Sequence, residues 1–166
     1  MITTETHVYF YGGTDIYSNW HKNSQSDVFQ FHDPLADIGF HTTEAAFMYY
    51  KAWFFRDLAI AAKAATEKDP KEVKALGRQV RRYNDNAWKA VRYGYMVYVN
   101  YLKFSQNPEW AAQLKATGNR ILVEASPYDA VWGVLLDQND PLILDEKNWK
   151  GQNLLGKALM EVRSML

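Results

Sequence analysis

The sequence predicts an α+β fold, a mostly helical single domain around a small β-sheet. Helix start and stop signals fill the middle of the chain, and short β-branched or aromatic runs lie on either side of them. No internal repeat, linker or low-complexity stretch divides the 166 residues, so one domain spans 1–166. At 48% hydrophobic and 15% aromatic residues the chain is too apolar to be disordered. A domain of this length buries roughly 70% of the surface its unfolded form exposes, enough for a core without staples.

Residues 1–5 precede the first strand-like run and are expected to be flexible. Residues 7–11 are β-branched and aromatic and stop at Gly12-Gly13, which marks a strand. The polar stretch 14–27 is a loop, and 28–31 is a second short strand ahead of Asp33-Pro34. Thr42 or Thr43 can cap a helix running to about residue 56, with Glu44 in its first turn beside the positive end of the helix dipole. An alanine-rich helical stretch follows over 57–66. At Asp69-Pro70-Lys71-Glu72 an acidic N-cap, a proline at the first helical position and a glutamate three residues after the cap open a helix to residue 78. Asn84 or Asn86 opens a long helix through 104, and Asn107-Pro108-Glu109 another that ends near Thr117-Gly118. Residues 120–124 form a buried strand, 125–153 are irregular, and 154–166 form a final amphipathic helix. The irregular segment is too long for an ordinary connection. Trp132 and Trp149 argue that it is ordered, either as walls of a binding site or as plugs over the core.

Charge and cysteine content remove several classes of function. Nineteen Lys and Arg balance nineteen Asp and Glu, so no long-range basic field exists to wrap a nucleic acid; only a local contact is compatible with neutrality. With no cysteine there is no disulfide, cysteine zinc site or thiol nucleophile, which suits a reducing compartment such as the cytoplasm. The first residues lack a basic and an apolar region, so no signal peptide is expected, and the apolar stretch 91–102 is interrupted and too short to span a bilayer. His7, His21, His32 and His41 lack metal-ligand spacing, so no metal site is expected. Gly12-Gly13 does not open a helix, and no serine stands in a nucleophile elbow.

One helix face carries candidate chemistry. Glu44, Phe47, Met48 and Lys51 recur at i, i+3, i+4 and i+7, which places them on one side, with Glu44 and Lys51 roughly 10 Å apart along the axis. Taken singly, Lys51 reads as a solvated charge and Glu44 as a dipole-complementing acid. The neighbours Tyr49, Tyr50, Trp53, Phe54 and Phe55 require burial of this segment, and a partly desolvated lysine yields a neutral amine, a nucleophile near neutral pH. Arg78, Arg81, Arg82 and Arg92 are either phosphate ligands or an exposed charge run.

Taken in order, the short patterns become recognisable: Tyr17-Ser18-Asn19-Trp20; Thr43-Glu44 with Lys51; Leu76-Gly77-Arg78; Trp88, Arg92 and Met96; Lys103-Phe104 with Asn107-Pro108. Toward the end come Leu122-Val123-Glu124-Ala125-Ser126, Asp129, Trp132-Gly133 and Trp149-Lys150-Gly151-Gln152-Asn153-Leu154-Leu155-Gly156. The chain resembles the NADAR, or YbiA-like, family from about residue 8 to 165. The resemblance implies an α+β fold and an N-glycosidase acting on ribosyl groups attached to nitrogen. Two activities go with the family: hydrolysis of ribosylamino-pyrimidine phosphates of riboflavin synthesis, and removal of ADP-ribose from modified guanine in nucleic acid. Two departures from the riboflavin-type pattern favour ADP-ribosylated guanine. Residues 134–150 form an insertion, with Asp137, Asp140 and Asp145, expected to reshape the pocket rim, and Trp20 replaces the phenylalanine of a Ser-Asn-Phe motif with a larger stacking surface.

The resemblance further implies Lys51 as a Schiff-base nucleophile, with Glu44 or Asp129 shuttling protons and Glu124 a third carboxylate at a matching position. Ser18, Asn19, Ser126 and Asn153 would bind hydroxyls and phosphates, Arg78 or Arg92 would meet the phosphates, and Trp20, Trp88 and Trp132 would stack. Gly77, Gly133 and Gly156 would let backbone approach the ligand. No cofactor is expected, since water suffices, and the expected partner is ADP-ribose or an ADP-ribosylated guanine nucleotide. A competing class is a non-catalytic ADP-ribose-binding module.

Overall fold

Six helices and two small sheets form in the computed structural model, which describes residues 1–23 and 28–166. Helix α1 spans Thr43–Phe54, α2 Leu58–Thr66, α3 Pro70–Arg78, α4 Asp85–Ser105, α5 Pro108–Ala116 and α6 Leu154–Met165. The side chains of Thr42, Asp57, Asp69 and Asn84 each accept a backbone N–H at the start of α1 to α4, so the residue types that mark these starts in sequence satisfy otherwise unpaired donors. Pro70 and Pro108 sit in the first turns of α3 and α5, where a missing N–H costs nothing.

The strands are β1 (Ile2–Thr3), β2 (His7–Phe10), β3 (Phe31–Asp33), β4 (Ile38–Phe40) and β5 (Ile121–Glu124). One sheet has the order β1-β2-β5, with β1 antiparallel to β2 and β2 parallel to β5; the other is the β3-β4 hairpin. Five helices lie between β2 and β5, supplying the crossover that a parallel pair requires. Two expectations need correction. Within residues 1–5, expected to be flexible, Ile2–Thr3 pair with Val8 and Tyr9. The strand expected over 28–31 begins only at Phe31, because its register is set by Phe40 opposite Phe31; Val28 and Phe29 lie outside it and are exposed. The loop expected over 14–27 runs in its last four residues outside the described residues.

Side-chain alternation along the three-stranded sheet separates two cores. Val8, Phe10 and Leu122 face the large helical core built on α1, α4 and α6. Tyr9 and Val123 face the other way and join Ala125, Val134 and Ile143, with Trp149 and Leu136 packed alongside. That second layer comes from the insertion 134–150, which holds two short 3-10 turns, Pro141–Leu144 and Glu146–Asn148. The Trp149 indole donates to the Ile143 carbonyl at 2.8 Å, and His7 meets Glu146 at 3.2 Å. The insertion therefore caps the sheet face away from the helices. Asp57 joins the helical layer, accepting from the Arg81 guanidinium at 2.8 and 3.0 Å and from the Arg81 backbone N–H at 2.9 Å. That assigns Arg81 a structural role.

Candidate active site

A cavity of about 840 Å³ opens between α1, α3, the first half of α4, the loop after β2 and the loop after β5. It lies in the upper part of the range for small-molecule sites, roughly 300–1,000 Å³. From α1 come Glu44, Phe47, Met48 and Lys51, the face that helical spacing gathers. From α3 come Lys71, Lys74, Gly77 and Arg78, and from α4 Trp88, Arg92 and Met96. Ser18, Asn19 and Trp20 line it from the loop after β2, and Glu124, Ser126, Asp129 and Trp132 from the end of β5 and its loop.

Lys51 is half-buried, and its Nζ donates to the Gly77 carbonyl oxygen at 2.8 Å with the Tyr83 ring 4.6 Å from the nitrogen. Desolvation lowers its pKa; Arg78 adds to that and Glu44 opposes it. Gly77 leaves room for Met48 beside this contact, since a Cβ there would stand 2.0 Å from Met48 Sδ.

Glu44 is buried, and desolvation pushes its pKa up to about 7; Asp129 pushes in the same direction, while Lys74, Lys51 and a hydrogen bond from the Trp20 side chain oppose. Its backbone N–H donates to the Asn19 carbonyl at 3.0 Å, which docks the Ser18-Asn19-Trp20 loop on the first turn of α1. Beneath that loop the fully buried Lys103 donates to the carbonyls of Ile16 and Ser18. Asn19 gives its Nδ2 to Met96 Sδ at 3.3 Å, leaving a buried Oδ1 without a partner. Asp129 Oδ1 accepts the backbone N–H groups of Val131 and Trp132 at 2.9 and 2.8 Å, and Oδ2 lies 4.0 Å from Lys74. Asp129 thus shapes the loop that presents Trp132, whose ring packs edge-on against Phe47 and carries Arg92 6.0 Å from its centre. Trp88 is buried among Phe47, Phe54, Phe55 and Tyr95, so it touches the cavity mainly as core.

Three sequence candidates fall outside the cavity wall. Asn153 adopts a left-handed conformation (φ 52°) before α6; its Nδ2 donates to the Leu122 carbonyl and its Oδ1 accepts the Glu124 N–H, fixing α6 to β5. Gly156 lets the backbone of α6 approach that strand, as its Cβ would stand 2.0 Å from the Leu122 carbonyl oxygen. Gly133 is packed against the Glu124 carbonyl and the Ser126 Cβ, each 2.9 Å from where a Cβ would stand. All three hold the framework. The insertion also contributes nothing to the wall, contrary to the expectation that it reshapes the rim. Lys71, Lys74, Tyr83 and Tyr128 are wall residues that the sequence reading missed. A signal existed for the lysines: with Arg78 they stand at i, i+3 and i+7 of α3, one face of a strongly amphipathic helix. Among the described residues, no group of three or more His, Asp or Glu could hold a metal ion, and no helix is long and apolar enough to cross a membrane.

The NADAR domain model matches residues 9–166. The chain belongs to the NADAR family. It is 35% identical over 163 residues to N-glycosidase R617 of Acanthamoeba polyphaga mimivirus, covering 96% of each chain. The NMR structure of the Escherichia coli protein YbiA superposes with a TM-score of 0.74 at 25% identity, over 99% of this chain and 86% of that one. The riboflavin biosynthesis protein VVA0006 of Vibrio vulnificus is 33% identical over 118 residues, covering 71% of this chain and 29% of that larger protein.

Proposed function

We propose that this NADAR protein hydrolyses the N-glycosidic bond of ADP-ribosylated guanine in nucleic acid, releasing ADP-ribose through a Schiff base on Lys51. The observation that carries the reading is the placement of one half-buried, partly desolvated lysine in the same cavity as Glu44 and Glu124. Ring opening of an N-linked ribose moves the N–H proton to the ring oxygen and leaves an imine between C1 and the base nitrogen. The Lys51 amine adds to C1, forming a C–N bond. Its surplus proton passes through Glu44, whose pKa near 7 suits both accepting and returning it, to the base nitrogen. Departure of the base, whose nitrogen takes up a second proton from an acid in the cavity, leaves the lysine Schiff base, and water releases the aldehyde form of ADP-ribose.

Cavity size and charge favour ADP-ribose over a ribosyl monophosphate. Besides Lys51, four cations line the wall, Lys71, Lys74, Arg78 and Arg92, more than one phosphate needs and well suited to a diphosphate. Trp20 and Trp132 supply flat surfaces for an adenine or guanine ring. The balanced overall charge favours recognition of the adduct over recognition of the strand. The second reading, a ribosylamino-pyrimidine phosphate, draws on the likeness to the Vibrio riboflavin protein.

Incubation with an oligonucleotide carrying ADP-ribosylated guanine, and separately with the ribosylamino-pyrimidine phosphate, tests the choice by mass spectrometry of the released products. Free ADP-ribose from the first is expected. Turnover of the second alone reverses the assignment, and tight ADP-ribose binding with cleavage of neither substrate identifies a binding module.

A further inference from the structure

Three carboxyl groups share the cavity wall, and their surroundings differ. Asp129 is committed through Oδ1 to two backbone N–H groups, and Glu44 accepts from Trp20 and shares α1 with Lys51. Glu124 has no such anchor. It is the last residue of β5, where its N–H donates to Asn153 and its carbonyl accepts from Val134, so the backbone is locked on both sides. The side chain is nine-tenths buried, and Oε2 is enclosed without a hydrogen-bond partner. An ionised carboxylate in that position would lose its hydration and gain no donor in return, which is costly.

The neighbours reinforce this. Facing Glu124 are Tyr11 and Asp15 from the segment after β2, Glu44 from α1, Lys74 from α3, Lys103 from α4 and Asp129 from the loop after β5. Burial first, and then the charges of Asp129, Asp15 and Glu44, push its pKa up to about 8 against the opposing pull of Lys74. At neutral pH the group therefore holds a proton, and a protonated carboxyl is a donor where a carboxylate only accepts.

We propose that Glu124 is a catalytic residue, the acid that protonates the base nitrogen as it leaves C1. The assignment rests on the N-glycosidase reading above. In the adduct that carries both nitrogens on C1, the bond to the base breaks and its electron pair goes to the base nitrogen, which takes the Glu124 proton. The lysine nitrogen supplies its lone pair to form the iminium, leaving Glu124 as a carboxylate. Water then adds to C1 and returns a proton to Glu124, and the resulting carbinolamine collapses to the aldehyde and free Lys51 amine. Glu44 handles the proton on the amine during addition, and Glu124 handles the one on the leaving group. Two acids in one cavity with unequal surroundings thereby take unequal roles.

The test compares single-turnover base release by wild type, Glu124→Gln and Glu124→Asp from the oligonucleotide bearing ADP-ribosylated guanine, between pH 5 and 9.5. Wild type should lose rate as pH rises past about 8, because the acid form disappears. Glu124→Gln keeps the size but cannot give up a proton; it should be slower by about 100-fold or more at neutral pH and should lack the alkaline limb. Glu124→Asp should retain that limb at reduced rate, which a purely structural role would not produce. An active Glu124→Gln variant within threefold of wild type, or one that keeps the limb, overturns the assignment. Wild type that releases no base overturns the underlying N-glycosidase reading instead, and the two failures are told apart by that one control.

Discussion

The Lys51 amine reaches the backbone carbonyl of Gly77 at 2.8 Å across the seam between α1 and α3. A neutral amine that donates one hydrogen there keeps its lone pair, so in the proposed mechanism the contact aims the amine at the sugar carbon without consuming it. The same glycine makes room for Met48, whose Sδ occupies the volume a side chain would need.

Gly77→Ala should therefore injure the site more than the fold. The clashing atom belongs to a flexible methionine, which can move, and the expected stability loss is about 1–3 kcal/mol. Displacement of Met48 in the cavity wall and of α3 should raise KM and lower kcat several-fold each. Gly156→Ala should do the reverse, since its clash is with the fixed Leu122 carbonyl. A stability loss of about 3 kcal/mol or more is expected, with unchanged KM in the folded fraction. Denaturant melts and steady-state kinetics on both variants check the contrast.

Trp149→Ala probes the insertion 134–150. Trp149 is partly buried against the far sheet face and donates to Ile143, away from the cavity. The expected loss is about 2 kcal/mol, below the 3–5 typical of a fully buried aromatic, and KM should not change. A several-fold rise in KM would show that the insertion reaches the substrate.

Lys103 gives a pH signature. Burial holds its pKa down to about 7, well below the 10.5 of an exposed lysine. The unfolded chain therefore binds an extra proton between those values, and stability contributed by this residue grows as pH rises from about 7 toward 10.5. Lys103→Met removes the donors to the Ile16 and Ser18 carbonyls and should lower the melting temperature. The gap between wild type and variant should widen from pH 7 to pH 10; a constant gap would mean that the lysine stays charged in the fold.

Much of this organisation is legible in the sequence. Asp69-Pro70 and Asn107-Pro108 carry their own helix starts, and the spacing of Glu44 and Lys51 fixes a shared face, because caps, proline and helical period are local properties. The hairpin was only partly legible: Ile38–Phe40 has three residues with a glycine between its apolar positions, and Gly39 is there because the Phe29 ring packs over it, a contact no short window reveals. Asn153, Gly133 and Gly156 match motif positions yet lie outside the cavity wall. Motif residues near a site resemble ligand contacts in sequence, yet these secure α6 and the loop before it to β5 through backbone approach and hydrogen bonds. The position of the insertion is not legible locally either, since alternation along β5 decides which sheet face it covers. Lys71 and Lys74 were visible in the spacing of α3, but only the packing of α3 against α1 shows that their face looks into a cavity.

The Lys51 Schiff base is tested by borohydride reduction during turnover of the ADP-ribosylated oligonucleotide, followed by peptide mass spectrometry. An ADP-ribose adduct reduced onto Lys51 is expected in the wild-type protein, and neither adduct nor turnover in a folded Lys51→Ala variant. Turnover with no trapped adduct, or a Lys51→Ala protein that still releases ADP-ribose, would contradict it.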